Sequence, residues 1–490
     1  MLSDNIKHVH IVGIGGCASS AVAQYLVSNG VTVTGSEREF RSDLGSLTDL
    51  GIRVYFGHYK GNIYLDGKPA DYVLYSPAVI KFDPDNVEIA EARKRGIPKM
   101  SWENFIGEYL NTLGKIGITI SGSEGKGTTG GILTKILQGT EFEPLSILGA
   151  KMKNSDKPDS NISVGSGSTY ILEGDEFNRN FYGYHPSINV TVNFKYEHPE
   201  TYKDFDEYKD AFAHFFSGMN GDNHPKTLIL RATQDMLDVV MKYKLSDTHK
   251  IIWFGLPTDD AIDTVPGNKY IITSHRLCPD GNEFVLNKIV NGTPEQYRFR
   301  LDFLPGYIVL NAVGAIIAAF ELGLDYETIQ QNINRFTGMV RRFDVTKTVG
   351  KGALITDYGH SPESISHIMK ELKTIYHGLK LHFVFQPHLF SRTYAFADGF
   401  AEALAPADKI SLIDIYPARE HIEDWADKIS SSMLAEKISR LNPNVAYIGA
   451  ARDIYQNLHN RINADEVTCF IGAGDMDAYY GKLIDEYKIK

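Results

Sequence analysis

The chain has 490 residues, which suggests about three domains at roughly 100–200 residues per domain. Apolar residues make up 43% and charged residues 23%, a globular composition that excludes intrinsic disorder and fibrous classes for the chain as a whole. The 50 Lys and Arg against 61 Asp and Glu leave a net charge of −11, which argues against a general nucleic-acid-binding role.

The cysteines and the apolar segments indicate the cellular compartment in which we expect the protein. Cys17, Cys278 and Cys469 are too few and too widely spaced for a disulfide framework or a cysteine metal site, and reduced thiols are typical of the cytoplasm. The chain enters a strand-like segment almost at once, so we expect no signal peptide. The longest apolar stretch, residues 307–320, contains Asn311 and predicts a buried helix rather than a membrane span. We therefore expect a cytoplasmic protein without a membrane partner.

Strands and helices alternate in the first part of the chain. Strand patterns at residues 8–12, 31–35 and 72–75, with a helical pattern at 21–27, predict βαβ units around a parallel sheet. This pattern indicates a Rossmann-like domain.

A glycine-rich loop, Gly13-Ile14-Gly15-Gly16-Cys17-Ala18, follows the first predicted strand. It fits the G-x-G-x-x-G/A pattern, and Glu37 lies about 20 residues on, where an acid that binds a ribose would lie. The glycines permit a tight turn and let phosphates approach the helix N-terminus. The alternatives are an NAD(P) site and a tight turn without a ligand.

A second strand, glycine loop and helix are predicted at residues 116–120, 121–127 and 128–137. The loop departs from the strict G-x-x-x-x-G-K-[ST] pattern, because Ile120 stands at the first glycine position and Gly127 follows the lysine. A strand that ends in glycines, a lysine and hydroxyl side chains is still typical of a phosphate cradle, with an ordinary Gly-Lys turn as the alternative. The loop consists of Gly122, Ser123, Glu124, Gly125, Lys126, Gly127, Thr128 and Thr129.

Two polar clusters follow predicted strands of the same region. Residues 173–176 (Glu-Gly-Asp-Glu) follow a strand at 169–172, and Asn193 and His198 follow a strand at 188–192. Ligands of open α/β sheets bind beyond the carboxyl ends of the strands. A carboxylate and an imidazole beside a phosphate loop suit Mg²⁺ over ATP phosphates, with a solvated acidic loop and a surface histidine as the alternative.

A third alternation of strands and helices begins near residue 354. Its predicted strands lie at 353–355, 382–385, 410–415, 445–448 and 467–471, and apolar residues spaced over 365–375 predict a one-faced helix. Charged and imidazole side chains follow several of these strands, which suits a site for a carboxylate or a phosphate. They are Arg342, Asp357, His360, His388 and Arg392.

Together, and in collinear order over nearly the whole chain, these motifs resemble the Mur ligase family. The resemblance implies an α/β fold of three domains. A Rossmann-like N-terminal domain, residues 1–113, would bind a UDP-sugar. A central P-loop-type ATPase sheet, residues 114–341, would bind ATP, and a Rossmann-like C-terminal domain, residues 342–490, would bind the amino acid.

The resemblance also implies an activity. The expected enzyme is an ATP-dependent ligase of peptidoglycan precursor synthesis that joins L-alanine to the lactyl carboxylate of UDP-N-acetylmuramate through an acyl phosphate. Mg²⁺ is the implied cofactor, and the implied partners are UDP-N-acetylmuramate, ATP and L-alanine or a peptide. We expect a monomer or homodimer with roles in cell wall biogenesis, cell shape and cell division.

The family motifs imply roles for individual residues. The UDP-sugar-binding residues are Gly13, Gly15, Gly16, Ala18, Ser19, Ser20, Ser36 and Ser76. The ATP-binding residues are Gly122, Ser123, Glu124, Gly125, Lys126, Gly127, Thr128, Thr129, Asn311, Arg342 and Asp357. The metal-binding residues are Thr128, Glu173 and His198. The catalytic residues are Lys126, Glu173, His198, Arg342, His360, His388 and Arg392.

Some positions differ from the family pattern and motivate a second hypothesis. Glu124 stands where the family's ATP loop usually has His, Gly127 removes a hydroxyl, and Tyr307 and Ile308 stand where a His-Asn pair usually contacts adenine. The second hypothesis is a ligase-like binding protein with weakened catalysis.

Two further hypotheses remain. Residues 181–182 (Phe-Tyr) and 196–198 (Tyr-Glu-His) favour a sibling ligase that attaches a recycled tripeptide to UDP-N-acetylmuramate. The second of these hypotheses is an NAD(P)-dependent oxidoreductase that binds its cofactor at the loop that begins at Gly13.

Overall fold

The computed structural model describes residues 6–39, 44–154, 159–199, 201–278, 280–290, 292–303, 305–418, 420–425 and 427–488. The chain divides into two compact units. The first contains residues 1–276, 281–303 and 307–337, and the second contains 277–280, 304–306 and 338–490. Within the described ranges, none of the helices has the length and apolar character that a bilayer crossing requires.

The first unit begins with a small α/β sheet and its helices. Its strands are β1 (His8–Val12), β2 (Thr32–Glu37), β3 (Arg53–Phe56), β6 (Tyr72–Tyr75) and β7 (Lys99–Ser101). β4 (Tyr64–Leu65) and β5 (Lys68–Pro69) form a separate two-stranded sheet. Its helices are α1 (Cys17–Ser28), α2 (Gly45–Asp49), α3 (Pro77–Phe82), α4 (Val87–Arg95) and α5 (Trp102–Asn111).

The five main strands of this sheet are parallel, in the order β3-β2-β1-β6-β7. β1 is buried along its whole length, as expected for a central strand, although it contains His8 and His10. The strand order reverses between β1 and β6, and ligands of open α/β sheets bind at such a point. The loops that carry Gly13 and Ser76 follow these two strands.

The rest of the first unit is a larger, mixed sheet. Its strands are β8 (Ile116–Ser121), β9 (Leu145–Met152), β10 (Ser160–Val164), β11 (Thr169–Glu173), β12 (Ile188–Thr191), β13 (Thr227–Arg231), β14 (Lys250–Gly255), β15 (Asn268–Cys278), β16 (Gly281–Val290) and β17 (Thr293–Leu301). Its helices are α6 (Lys126–Leu137), α7 (Phe205–Ser217), α8 (Gln234–Lys242), α9 (Ile308–Glu321) and α10 (Tyr326–Ile333).

This sheet has the order β10-β9-β11-β8-β12-β13-β14-β15-β16-β17. β11 and β12 flank β8 in parallel, so the acidic cluster after β11 and the polar segment after β12 lie on either side of the loop after β8. Helix α9 packs against α6 and is buried over nearly all its length, which confirms the buried helix that the apolar stretch predicted.

The second unit contains a six-stranded sheet in the order β18-β19-β23-β20-β21-β22, with every pairing parallel except that of β18 with β19. Its strands are β18 (Asp344–Lys347), β19 (Ala353–Asp357), β20 (Leu381–Phe385), β21 (Lys409–Leu412), β22 (Val445–Tyr447) and β23 (Val467–Ile471). Its helices are α11 (Pro362–Ile375), α12 (Phe390–Ala395), α13 (Ala397–Leu404), α14 (Ser431–Ser439), α15 (Ile454–Leu458) and α16 (Asp477–Tyr487).

The predicted α/β architecture is confirmed, with one main sheet in each of the three predicted regions. The one-faced helix predicted over 365–375 is the core of α11, which buries Ile365, Ile368, Met369 and Leu372. The domain boundaries near residues 113 and 341 stay predictions.

Candidate active site

The glycine loop after β8 is held in place by segments on both sides of it. Gly125 ends the loop with a φ of 85°, a left-handed conformation that glycine adopts without strain, and it lies against the side chain of Asn311 from α9. The N–H of Ser123 donates to the carbonyl of Asn193 at 3.1 Å, and its hydroxyl donates to the carbonyl of Lys195 at 2.8 Å. The predicted partners Asn193 and Asn311 therefore lie beside this loop.

Lys126 opens helix α6 and forms a buried ion pair. Its Nζ donates to Glu176 Oε2 at 2.9 Å and to the carbonyl of Gly122 at 2.6 Å. Burial alone would lower the pKa of Lys126, but the negative charges of Glu176, Asp175 and Glu173 outweigh it and raise the pKa. The lysine is therefore a fixed positive charge at the end of β8.

Glu176, Glu197 and His198 form a cluster of potential metal ligands. One ligand atom from each lies within 4.8 Å of the other two, and His198 Nε2 is 3.8 Å from Glu176 Oε1. Burial, followed by the charge of Glu176, raises the pKa of Glu197 to about 7. His198 therefore lies beside two carboxylates that were not among the predicted metal ligands, and its role at a metal stays a prediction.

Glu173 ends β11, and its carboxylate is held by the main chain of β9. The N–H of Gly149 donates to Glu173 Oε2 at 2.7 Å. This bond orients a carboxylate at the carboxyl edge of the sheet, one strand away from β8.

The two threonines of the loop differ in environment. Thr128 is partly exposed, so its hydroxyl can reach a ligand. Thr129 is fully buried, and its N–H donates to the carbonyl of Gly125 at 2.9 Å. Its side chain packs in the core beside Gly314 of α9, and its predicted contact with ATP stays a prediction.

Glu124 is exposed at the outer side of the loop. Its Oε2 accepts a hydrogen bond of 3.4 Å from the side-chain amide of Asn193. The family pattern usually has His at this position, so this chain carries a carboxylate there instead, and its partner is the neutral amide of Asn193.

The glycine loop after β1 is closed by contacts with β2. The N–H groups of Gly13 and Ile14 donate to the carbonyl of Ser36 at 2.9 and 3.1 Å, and the N–H of Gly15 donates to Glu37 Oε2 at 2.8 Å. Glu37 therefore binds the loop itself, at the position where a ribose-binding acid was predicted.

The serines predicted for the UDP-sugar site have unequal access. Ser19 and Ser36 are buried, and the Ser36 hydroxyl donates to Glu88 Oε2 at 2.6 Å. The predicted contacts of these two side chains with the UDP-sugar stay predictions. Ser20 and Ser76, with Ala18 and the exposed Gly16, remain at the open side of the loop.

Glu88 is the centre of a buried polar network below this loop. It is fully buried and accepts hydrogen bonds from Ser36, from Asn62 at 2.6 Å and from the N–H of Tyr59 at 3.1 Å. Burial alone would raise the pKa of Glu88, but hydrogen bonds from His10 and His58 lower it to about 2. The network fixes the end of β2.

In the second unit, the structure brings together the predicted imidazoles and Arg392. Arg392 Nη1 donates to His388 Nδ1 at 3.2 Å, which requires the His388 tautomer with its proton on Nε2. The His388 ring stacks on Tyr416 at 5.7 Å, and the His360 ring lies 6.2 Å from that of His388. Burial, with the charge of Arg392, lowers the pKa of His360 to about 4, so His360 is neutral at pH 7.

Arg342 and Asp357 lie at the start of the same unit. The Arg342 guanidinium lies 5.0 Å from the centre of the Tyr358 ring. The Asp357 carboxylate is buried and accepts from the N–H groups of Phe343 and Gly359, both at 2.7 Å. One oxygen of Asp357 thus holds the backbone at Phe343 and the other holds it at Gly359, and the predicted contact of Asp357 with ATP stays a prediction.

Several residues of these sites were missed by the sequence analysis. Glu176 and Glu197 lie in the polar segments after β11 and β12, but the sequence analysis did not name them as site residues. The same strand-end position predicted their neighbours Glu173 and His198. Glu88 lies in a charged helical segment, and no feature of the sequence distinguishes it from its neighbours.

Comparison with known proteins covers nearly the whole chain. Residues 8–112 match the family model described as Mur ligase family, catalytic domain, residues 120–319 match the Mur ligase middle domain, and residues 341–474 match the Mur ligase, glutamate ligase domain. Three successive family domains agree with the three predicted α/β regions.

Two curated relatives show the extent of the similarity. The UDP-N-acetylmuramate–L-alanine ligase of Clostridium tetani is 30% identical over 471 residues, 96% of each chain. The enzyme of the same name from Aquifex aeolicus is 28% identical over 491 residues, the full length of both chains.

Solved structures share the fold. UDP-N-acetylmuramate-alanine ligase from Thermotoga maritima superposes with a TM-score of 0.78 at 23% identity, and the murein peptide ligase from Psychrobacter arcticus with 0.68 at 19% identity. Both comparisons cover 98% of each chain. They confirm the predicted architecture.

Proposed function

Because the chain belongs to the Mur ligase family, we propose that it is an ATP-dependent ligase that joins L-alanine to the lactyl carboxylate of UDP-N-acetylmuramate in peptidoglycan precursor synthesis. The observation that carries the proposal is the end-to-end match to relatives that bear this enzyme's name, at 30% identity over 96% of each chain.

The reaction has two steps. A lactyl carboxylate oxygen attacks the γ-phosphorus of ATP, so that an acyl phosphate forms and ADP leaves. The amine of L-alanine then attacks the acyl carbon, an amide bond forms, and phosphate leaves. The first step requires a carboxylate to approach a triphosphate, so the site must neutralise negative charge.

Lys126 supplies part of that neutralisation. Its ammonium lies at the start of α6, where the helix N-terminus also favours phosphate. In the absence of nucleotide the charge is balanced by Glu176, so a bound phosphate must share the lysine with this carboxylate. The buried pair keeps the lysine ionised and in place before ATP binds.

Mg²⁺ belongs to the proposal, and the residues present fit it. Carboxylate oxygens are the ligands that Mg²⁺ prefers, and Glu176 and Glu197 supply them next to the imidazole of His198. Thr128 and Glu173 are the further candidates from the sequence. When bound, the ion supplies positive charge to phosphate oxygens.

The side chains of the second unit suit the amino acid. The Nε2–H of His388 and the guanidinium of Arg392 are donors for a carboxylate, while a neutral His360 does not repel the ammonium of a free amino acid. We assign these three residues to binding and orientation of L-alanine.

The competing hypotheses have less support. Phe181, which favoured the tripeptide ligase, is fully buried and stacks on Phe215, so it serves the core. Glu37, which favoured NAD(P), is bound to the N–H of Gly15.

The loop assignment is tested by Lys126→Ala. We expect phosphate release with ATP, Mg²⁺, UDP-N-acetylmuramate and L-alanine to fall roughly 100–1,000-fold, the usual cost of removing one preorganised charge-stabilising group. The matched control is Lys115→Ala, since Lys115 also donates from Nζ to a main-chain carbonyl, that of Gly167 at 2.7 Å, outside the loop. Full activity of Lys126→Ala would contradict the assignment.

The acceptor is tested by a screen. Phosphate release is measured with UDP-N-acetylmuramate and, in turn, L-alanine, glycine, L-serine and the tripeptide. L-Alanine should give the highest kcat/KM. A preference for the tripeptide would replace the proposed function with that of the sibling ligase, and ATP binding without any phosphate release would support the weakened-ligase hypothesis.

A further inference from the structure

An irregularity in the pairing of β9 with β10 lies between the two predicted ligand loops of the first unit. The pairs Ser160–Met152 and Ile162–Ile147 are adjacent in the ladder, so residues 148–151 of β9 lie opposite Asn161 alone. A bulge of this kind frees main-chain groups from the ladder and re-aims side chains, and bulges are frequent beside active sites.

On β9, Gly149 lies within the bulge. Its N–H donates to Glu173 Oε2 at 2.7 Å. A Cβ at position 149 would lie 3.0 Å from both carboxylate oxygens of Glu173, so a larger residue would require the carboxylate to shift.

On β10, the bulge coincides with a buried amide. Asn161 is 1% exposed, and its Nδ2 donates to the main-chain carbonyl of Cys17 and lies 3.3 Å from the Cys17 sulfur. Cys17 is the first residue of α1, directly after Gly16 of the glycine loop. The amide therefore reaches from the central sheet to the loop predicted to bind the UDP-sugar.

The packing around the bulge makes this contact rigid. Helix α1 packs on β9 and β10, and Ala21, Val22, Leu145 and Ile147 belong to one buried cluster. β10 is the edge strand of its sheet, and α1 contacts both this strand and its neighbour β9. A buried side-chain amide that spans two elements in such a core costs free energy to displace.

We propose that Asn161 is a positioning residue for the UDP-sugar loop and that the same bulge, through Gly149, positions Glu173. The bulge between β9 and β10 thereby positions two groups: the loop predicted to bind the UDP-sugar, and the Glu173 carboxylate on the ATP side. This inference rests on the proposed function for the identity of the substrates.

The first test is Asn161→Leu, which keeps the volume of the side chain and removes its donor. We expect KM for UDP-N-acetylmuramate to rise roughly tenfold, the order of one lost buried hydrogen bond, with kcat and KM for ATP within twofold of wild type. Calorimetry with UDP-N-acetylmuramate alone should show the same loss of affinity. If Asn161→Leu does not fold, Asn161→Ser is measured in the same way.

The second test is Gly149→Ala, which pushes the Glu173 carboxylate from its donor. We expect the Mg²⁺ concentration for half-maximal activity to rise roughly tenfold or more, as is usual when the partner of a metal-site ligand is lost, while KM for UDP-N-acetylmuramate stays within twofold. The two variants therefore separate the two halves of the inference.

The control is Asn442→Leu in the second unit. Asn442 is also buried and donates from Nδ2 to a main-chain carbonyl, that of Ala407 at 2.7 Å. It should lose thermal stability without a change in KM for UDP-N-acetylmuramate.

The outcomes separate the inference from the proposed function. An unchanged affinity of Asn161→Leu for the UDP-sugar, or an equal rise of all KM values, overturns the positioning role. A wild-type protein that binds UDP-N-acetylmuramate but releases no phosphate with any acceptor overturns the proposed function, while the calorimetric comparison still tests Asn161.

Discussion

At the residue scale, the ATP-side site is organised by charge. Lys126 is matched by Glu176, and Glu176 is shared with the cluster that contains Glu197 and His198. A buried carboxylate between a lysine and a cation-binding cluster restrains both, because loss of one partner leaves the other uncompensated in a region of low polarity. The charges of this site are therefore balanced by its own residues.

The role of His198 is accessible to a direct test. In His198→Ala we expect the Mg²⁺ concentration for half-maximal phosphate release to rise at least tenfold, because an imidazole is lost from the cluster with two carboxylates. At saturating Mg²⁺ much of kcat should return. The measurement is a Mg²⁺ titration of the rate.

The matched control for this titration is His185→Ala. His185 is also partly buried, and its Nδ1 lies 2.9 Å from the carbonyl of Gly218, away from the cluster. Equal Mg²⁺ dependence in the two variants would remove His198 from the metal site.

At the element scale, helix caps position side chains of the second unit. The Ser361 hydroxyl accepts from the N–H of Ser364, and Pro362 occupies the first turn, so α11 begins two residues after His360. Ser361 is therefore the N-cap residue of α11, and it holds the backbone directly after His360.

We expect Ser361→Ala to lower the free energy of unfolding by about 1 kcal/mol and to raise KM for L-alanine several-fold, because the cap is lost beside His360. Ser430→Ala is the matched control, since Ser430 caps α14 by the same bond to the third residue, Met433. Both variants should lose stability, and only Ser361→Ala should change KM. Thermal unfolding and initial rates measure the two effects, and equal KM values would contradict this role.

The elements that the sequence predicted are those with continuous apolar runs. The predicted strand at 467–471 matches β23 in full, and that at 188–192 exceeds β12 by one residue, because both are buried on two faces. The predicted strand at 410–415 extends beyond β21, which ends at Leu412. The prediction is too long because Ile413 and Ile415 extend the apolar pattern beyond the last residue of β21.

The sequence analysis missed β9, β10 and β15 to β17. These strands are partly exposed, and β17 alternates polar and apolar residues after Pro294, which is typical of an edge strand and carries no continuous apolar run. The same limit applies to the sites. Strand-end loops gave Lys126 and His388, whereas Asn161 and Glu88 act through contacts between elements distant in sequence, which a single sequence does not reveal.

At the scale of the whole molecule, buried ionisable groups set how stability depends on pH. Burial lowers the pKa of His382 to about 3 and that of His360 to about 4, and hydrogen bonds lower that of Glu88 to about 2. In each case the unfolded chain binds protons more readily than the folded one. These groups therefore favour unfolding as the pH falls.

Glu103 acts in the opposite direction. Burial raises its pKa to about 9, so the folded chain keeps a proton that the unfolded chain releases above its ordinary value of 4.5. The stability contributed by this group is complete below that value and is lost as the pH rises towards 9. His382, His360 and Glu88 destabilise the fold at low pH, and Glu103 destabilises it at high pH. We therefore expect the pH of maximum stability to lie between these two ranges.

His382 offers the cleanest test of this balance, because it lies outside the site. His382 is the second residue of β20 and is 1% exposed. Its Nε2 shares a hydrogen bond of 2.8 Å with Ser411 Oγ, and its Nδ1 has no partner among the described residues. Its ordinary pKa of 6.5 applies to the unfolded chain, so its contribution is complete above pH 6.5 and is lost as the pH falls towards 3.

Between pH 7 and pH 5, this one histidine should cost the folded state about 2 kcal/mol, since the unfolded chain gains a proton that the folded chain excludes. We therefore expect His382→Gln to lose less stability than wild type over this interval, by about that amount. Hydrogen exchange of the β20 amides, corrected for intrinsic rates, reports the opening free energy of the second unit at both pH values. The control is His367→Gln, an exposed histidine of α11, which should keep the wild-type pH dependence. If His382→Gln keeps it as well, the imidazole is not held neutral, and the acid side of the stability optimum must then arise from other groups whose pKa is lowered, such as His360, His249 and Glu88.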